Sequence, residues 1–194
     1  MPPDPLPVMS FESTGAWDKW LAAHHADSPG LWLKIAKKGA AGRTISYSEA
    51  LDVALCHGWI DGQKGRHDDE YWLQRFTPRK PGSKWSKINT ERAEALIASG
   101  RMRPAGLREV ERAQADGRWE QAYESQSRVT VSEDLARALA ANERAREFFA
   151  TLDGANRYAI LYRIGTAKKP ETRAKRIDTY VAMLSEHKKI HPDA

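Results

Sequence analysis

A single cysteine, Cys56, stands in 194 residues. No intramolecular disulfide can therefore cross-link the chain, a reducing compartment is expected, and stability must come from an apolar core that a chain of this length can bury. Long apolar runs are missing too: none approaches the roughly 18 residues that a membrane-crossing helix needs. The opening Met1-Pro-Pro-Asp-Pro-Leu-Pro-Val has neither the basic start nor the continuous apolar stretch of a secretory signal. The expectation is a cytoplasmic protein without membrane insertion. Phosphate-loop and dinucleotide glycine patterns are absent, and no Ser–His–Asp order can be defended, so neither a cofactor nor a catalytic residue is assigned. Metal binding is not expected either. His24 and His25 are adjacent rather than a helical turn apart, His187 and His191 have ligand spacing but sit in a lysine-rich terminus, and Asp68-Asp69-Glu70 reads as a polar hairpin tip.

What is present is unevenly spread. All seven tryptophans (17, 20, 32, 59, 72, 85 and 119) precede residue 120. Between Arg75 and Arg92 there are six Lys or Arg against one acid, Glu91, so this window carries a formal +5, equal to the net charge of the whole protein. That local density has the character of a site rather than of an evenly solvated surface.

Periodicity sets the organisation. The proline-rich residues 1–9 read as a disordered or extended leader. Trp17, Trp20 and Leu21 predict a helix over 16–24, with Ser13 or Thr14 as its cap, and Leu31, Leu33 and Ile35 alternate as a strand after Pro29-Gly30. Ser46 and Glu49 have capping-box spacing ahead of a helix that Gly58 ends. Residues 59–64 and 71–77 predict an antiparallel hairpin with Trp59, Asp61 and Gln63 on one face and Tyr71, Leu73, Arg75 and Thr77 sharing a face of the partner strand. Asn89 or Thr90 is placed to cap a helix stopped by Gly100, and Pro104 suits the first turn of the next. Residues 120–131 lack a stripe and read as a linker. Beyond them lie short helices, with Ser132, Asn142 and Asp153 at cap positions. The fold class is α+β: a small antiparallel sheet with flanking helices over 10–119, then an all-helical module over 132–194.

The runs 54–62, 75–79 and 84–89, followed by 100–106 and Gly117-Arg118-Trp119, resemble the signature blocks of the YdeI/OmpD-associated, or bacteriocin-protection, family, and residues 169–184 resemble its helical C-terminal module. The resemblance spans about residues 10 to 190. It implies a role in stress or antimicrobial resistance, and the N-terminal order of elements resembles the YjbR/CyaY-like group of small α+β folds to which that family has been likened.

The residues themselves point to a pocket formed by His57, Trp59, Asp61, Arg75, Arg79, Lys84, Trp85 and Asn89. Arg and Lys supply anion contacts, Trp a flat apolar wall, and Asp61 with Asn89 the orientation of a ligand. The bland alternative makes Trp59 and Trp85 core residues, with Asp61 paired to Arg75 or Arg79. Cys56 reads as a buried structural thiol, because neighbours on a helix point about 100° apart and adjacency to His57 makes no catalytic pair. Lys169, Arg173, Arg176 and Tyr180 form a second basic stripe, either a solvated flank or a contact with nucleic acid or with the acidic turn of the first domain. The preferred reading is a non-catalytic binding protein for a small anionic or aromatic molecule. Nucleic-acid binding is the second reading, and an enzyme using Asp61 or His57 as an acid/base group is the third. The helical module, with no Trp and few large apolar side chains, is expected to be marginal on its own and to dock on the first domain.

Overall fold

Short-range signals set most element boundaries in the computed structural model, which describes residues 6–192. After the short strand β1 (Val8–Met9), the Ser13 side chain accepts a hydrogen bond from Ala16 N–H (3.2 Å) and opens helix α1 (Thr14–His24). Strand β2 (Leu31–Ala36) follows the Pro29-Gly30 turn. Ser46 and Glu49 form a complete capping box ahead of helix α2 (Tyr47–Cys56), each side chain meeting the other residue's backbone N–H. Gly58, at φ +74°, then turns the chain through the left-handed region that favours glycine. The hairpin of β3 (Trp59–Arg66) and β4 (Tyr71–Pro78) follows. Near its tip Asp68 Oδ1 accepts from the N–H groups of Glu70 and Tyr71 (2.9 and 2.7 Å), so this part of the acidic run is a turn device.

The four strands form one sheet in the order β1-β2-β4-β3. An α+β fold is thus established, with one correction: the sheet is mixed, because β1 runs parallel to β2 and pairs Val8 with Trp32 and Met9 with Leu33. Of the leader expected over 1–9, residues 1–5 lie outside the described residues, and its last two are a sheet edge.

Register decides which side chains share a face. Leu31, Leu33 and Ile35 pair with Phe76, Gln74 and Trp72, and Asp61 pairs with Phe76. Directly opposed residues point the same way, so these side chains and Trp59 lie on one face. Helices α1 and α2 pack there: the Trp17 ring lies 5.9 Å from Phe76 and 6.2 Å from Trp59, and its Nε1–H donates to Ala50 O (3.1 Å). A β-bulge between Asp61 and Lys64 sets three steps of β3 against two of β4. Strict alternation therefore fails at Gln63. Lys64, opposite Gln74, takes the position on the helix-covered face.

Helix α3 (Lys87–Ala98) begins earlier than expected and puts Asn89 in its first turn instead of at its cap. It ends in a Schellman turn: Arg101 N–H reaches Leu96 O and Gly100 N–H reaches Ile97 O (3.0 Å each), with Gly100 at φ +68°. Pro104 then starts helix α4 (Pro104–Ala115). That helix crosses the end of α2 so closely that a Cβ built on Gly106 would lie 2.5 Å from Cys56 O and 2.6 Å from Leu55 O.

The chain divides into two units, one holding residues up to Lys84 with Asn89–Glu120, the other Trp85–Ile88 with the residues from Gln121 onward. The second contains helices α5 (Glu133–Ala140), α6 (Glu143–Thr151), α7 (Gly154–Gly165) and α8 (Pro170–Ser185). Asn142 and Asp153 cap α6 and α7 as expected, while Ser132 makes no cap bond. Leu135, Leu139, Phe149, Ile160, Ile164, Ile177 and Leu184 fill the core of this unit. Within the stretch expected as a linker, Tyr123 forms a parallel bridge to Ser86, donating to Trp85 O (3.0 Å) and accepting from Lys87 N–H (2.9 Å).

The α2–α4 crossing yields a test with a built-in control. Gly106→Ala is expected to destabilise by about 1–3 kcal/mol through overpacking, although alanine is the better helix former by about 1 kcal/mol. Gly15→Ala, where a Cβ would meet nothing within 4 Å, is expected to be neutral or stabilising. Denaturant midpoints of the two variants check this, and equal effects would argue against the close crossing.

Candidate functional site

The eight residues expected to form one pocket are divided among several roles. Trp59 is a core side chain, 1% exposed, edge-on to Trp17 and Trp20, with its Nε1–H donating to His25 O (3.0 Å). Asp61 accepts from Tyr47 O–H (2.7 Å). Arg75 pairs with Trp32 on the opposite face of the sheet, so Asp61 and Arg75 do not point into a common site. Arg79 is buried and donates from Nη1 to Lys84 O (3.2 Å), using the backbone of Lys84 and not its amine. Trp85 is buried in the second unit, and Asn89 is half-buried in α3.

His57 leads elsewhere. It is the cap residue that ends α2, and its Nε2 lies 2.8 Å from Asp18 Oδ1 of α1. The other carboxylate oxygen accepts from Arg103 Nη2 (3.0 Å). Arg103 is held in place because its backbone N–H donates to Cys56 O (3.2 Å) at the α2–α4 crossing. Burial pushes His57 below its ordinary value, against the opposing pull of Asp18. Burial alone would raise the Asp18 carboxyl, yet the His57 hydrogen bond and the Arg103 charge hold it below its ordinary value. A neutral His57 beside an ionised Asp18 carries its proton on Nε2 and donates it to Oδ1.

Asp18 and Arg103 also line a cleft of about 360 Å³, together with Thr14, Gly15, Val53, Cys56, Gly100 and Arg101. Thr14 and Gly15 open α1, where N–H groups have no intrahelical acceptor and the helix dipole favours negative charge. Arg101 is exposed, and its side chain has no hydrogen bond or ion pair among the described residues. The Cys56 thiol is pushed up to about 11 by burial and is no thiolate nucleophile at neutral pH. The cleft therefore offers two guanidinium groups, one already balanced by Asp18, beside a short apolar wall.

Sequence reasoning missed Asp18, Arg101 and Arg103. The available signal was the Gly100-Arg-Met-Arg-Pro104 connection, which puts two cations into a tight turn between helices.

In the basic stripe of α8, Arg173 and Arg176 are engaged within the second unit, while Lys169 is exposed. Arg173 donates from Nε and Nη2 to the Asp134 carboxylate (2.5 and 2.9 Å), to Ser132 Oγ (2.8 Å) and to Ile164 O (3.1 Å). Arg176 donates to Arg163 O. Both cations thus serve the last turn of α7, where carbonyls lack helical partners. The Arg173 hydrogen bonds hold the Asp134 carboxyl far below its usual range. His187 and His191 do not act as a helical pair, since α8 ends at Ser185, His187 sits at φ 58° stacked on Phe148, and His191 exchanges backbone bonds with Asn156. Among the described residues no three His, Cys, Asp or Glu gather as a metal-binding group, and no helix is long and apolar enough to cross a membrane.

Fold and site together define a two-unit protein, an α+β unit with a cationic cleft at its helix ends and a four-helix unit stapled by Arg173. Residues 9–109, just over half of the chain, match the family described as a domain of unknown function (DUF8412), and the chain belongs to that family. Residues 128–187 match the family described as bacteriocin-protection, YdeI or OmpD-associated, so the resemblance drawn over residues 10–190 is carried by the helical part. No curated protein and no solved structure matches the chain.

Two outcomes follow from these contacts. Because the folded-state value of His57 is depressed, the unfolded chain takes up its proton first. The stability this group confers is complete above its ordinary value of 6.5 and is lost as pH falls below it. Thermal melts between pH 8 and pH 5 should show a steeper loss in the native chain than in His57→Asn, and identical slopes would contradict the buried neutral imidazole. Arg173→Ala should cost about 1–2 kcal/mol, several charge-assisted bonds discounted for partial exposure, read as an earlier denaturation midpoint. A midpoint unchanged from the parent would remove the staple.

Proposed function

We propose that the first unit is a non-catalytic binding module for a small oxyanion-bearing molecule, a carboxylate or a phosphate ester, held in the cleft at the ends of α1, α2 and α4. The observation that carries this reading is Arg101: its guanidinium lines the cleft with no side-chain partner among the described residues, next to an Arg103 already fixed by Asp18. A guanidinium presents a planar fork of donors suited to a carboxylate or phosphate. The start of α1 adds N–H groups and a favourable dipole, and Val53 with the protonated Cys56 supplies an apolar wall for the rest of the ligand. The Cys56 thiol is protonated at neutral pH and the Asp18 carboxylate is engaged by His57 and Arg103, which favours capture over turnover. The family description that matches residues 128–187 names bacteriocin protection, which supports a part in resistance to an antimicrobial stress, played in the cytoplasm on this reading. The engaged heads of Arg173 and Arg176 lend no support to the nucleic-acid reading.

Calorimetric titration with inorganic phosphate and with citrate tests the proposal. At least one should bind the native chain, and Arg101→Ala should weaken it about tenfold, the worth of one charge-assisted contact. Gly15→Glu should abolish it without harming the fold, because the position is sterically open and an acid in the first helical turn is favourable. Absence of binding by the native chain, or binding unaffected by either substitution, would refute the site.

A further inference from the structure

A second feature of the first unit already holds a cation, and it is the chain's own. At the β3 bulge, Lys64 Nζ lies 5.1 Å from the centroid of the Trp72 ring and 5.9 Å from that of Tyr47. The two rings stand 6.1 Å apart at 49°, forming a half-cage. Tyr47 O–H donates to Asp61 Oδ2 (2.7 Å), which puts a carboxylate on the hydroxyl edge of one of the two rings. Gln74, opposite Lys64 on this face, is 1% exposed. Its Nε2 donates to Gly62 O (2.9 Å), Gln63 O and Arg75 O (3.3 Å each), which fixes the orientation of the amide. The buried Oε1 is then left without a donor. An unmet acceptor of this kind in a folded protein calls for an explanation.

We propose that Tyr47, Asp61 and Trp72 form a binding site for a protonated alkylamine, with Lys64 as its displaceable resident. Two aromatic faces and a carboxylate at their edge attract an ammonium, and the carboxylate favours one that still bears N–H groups. Lys64 is exposed and long, so the modest cation–π attraction that holds it is opposed by the rotamer freedom it gives up. A ligand ammonium entering the half-cage lets that freedom return. The bulge gives Lys64 this role: it breaks the alternation of β3 and delivers Lys64 to the face that carries Trp72. This site is separate from the helix-end cleft and takes the opposite charge.

n-Butylammonium, which reproduces the end of a lysine side chain, is the probe. In an NMR titration, Lys64→Ala should bind it about 5- to 30-fold more tightly than the native chain, the range of an exposed to partly desolvated cation–π contact. 1-Butanol should not bind, and tetramethylammonium should bind less well than n-butylammonium. Adding Trp72→Leu to Lys64→Ala should remove binding. If that double variant does not fold, Lys64→Ala with Asp61→Asn should weaken binding at least about fivefold. Arg101→Ala should leave butylammonium binding unchanged, which separates this site from the anion cleft. Equal affinity of the native chain and Lys64→Ala, equal binding of butanol, or binding that persists in the folded double variants would overturn the proposal.

Discussion

The seating of α4 on the C-terminal end of α2 is the contact on which the first unit's site depends. The last carbonyls of a helix have no partners within it and must be satisfied from outside. Here Arg103 N–H reaches Cys56 O, and the missing side chain of Gly106 lets the two backbones come close enough for it to do so. Gly58 completes the fit, since a Cβ there would lie 2.9 Å from Ala105 O. One close crossing thus fixes where the Arg103 guanidinium can be. Arg103 then holds one oxygen of Asp18, which leaves the other for His57. A contact between backbones in this way places the carboxylate that the His57 ring meets, while burial depresses the titration of that ring.

The second unit meets the same requirement by different means. The Ile164 and Arg163 carbonyls at the end of α7 receive the side chains of Arg173 and Arg176, with Ile164 O also accepting from Ala167 N–H. An arginine reaches further than a glycine allows, so α8 need not touch the end of α7 with its backbone. The additional bonds to Asp134 and Ser132 tie the start of α5 into the same junction. Ser132 accordingly gives up the capping role that its position suggests.

Local chemistry was legible in the sequence and spatial chemistry was not. The capping box at Ser46, the stops at Gly58 and Gly100, the start at Pro104 and the hairpin all depend on residues within a few positions of one another, and each lies where the pattern puts it. The bulge escaped because no turn residue marks it apart from Gly62, and its consequence, the exchange of Gln63 for Lys64 on the inner face, inverts a reading built on strict alternation. The cleft escaped for another reason. Asp18 sits in mid-helix with no nearby partner in sequence, and Arg103 lies 85 positions away from it. Only the crossing of α4 over α2 makes them neighbours.

Charge density along a sequence is a poor guide to charge density in space, and the window from Arg75 to Arg92 shows why. Arg75 lies on the sheet face away from Asp61, and the head of Arg79 is bonded to a carbonyl. Lys87 pairs with Glu124 and Arg92 with Asp52 (2.6 Å) and Ser48 (3.1 Å). Glu124 and Asp52 come from other parts of the chain, so folding pairs two of these cations with carboxylates that the window itself lacks. Arg101 belongs to a window with no such excess. It keeps its charge unpaired among the described residues because the Schellman turn at Gly100 directs the chain into the short connection to α4, where Asp18, the carboxylate that lines the cleft, is already held by His57 and Arg103. A cation is available to a ligand when folding has matched the local acids to other partners, and Arg101 at the helix ends meets that condition.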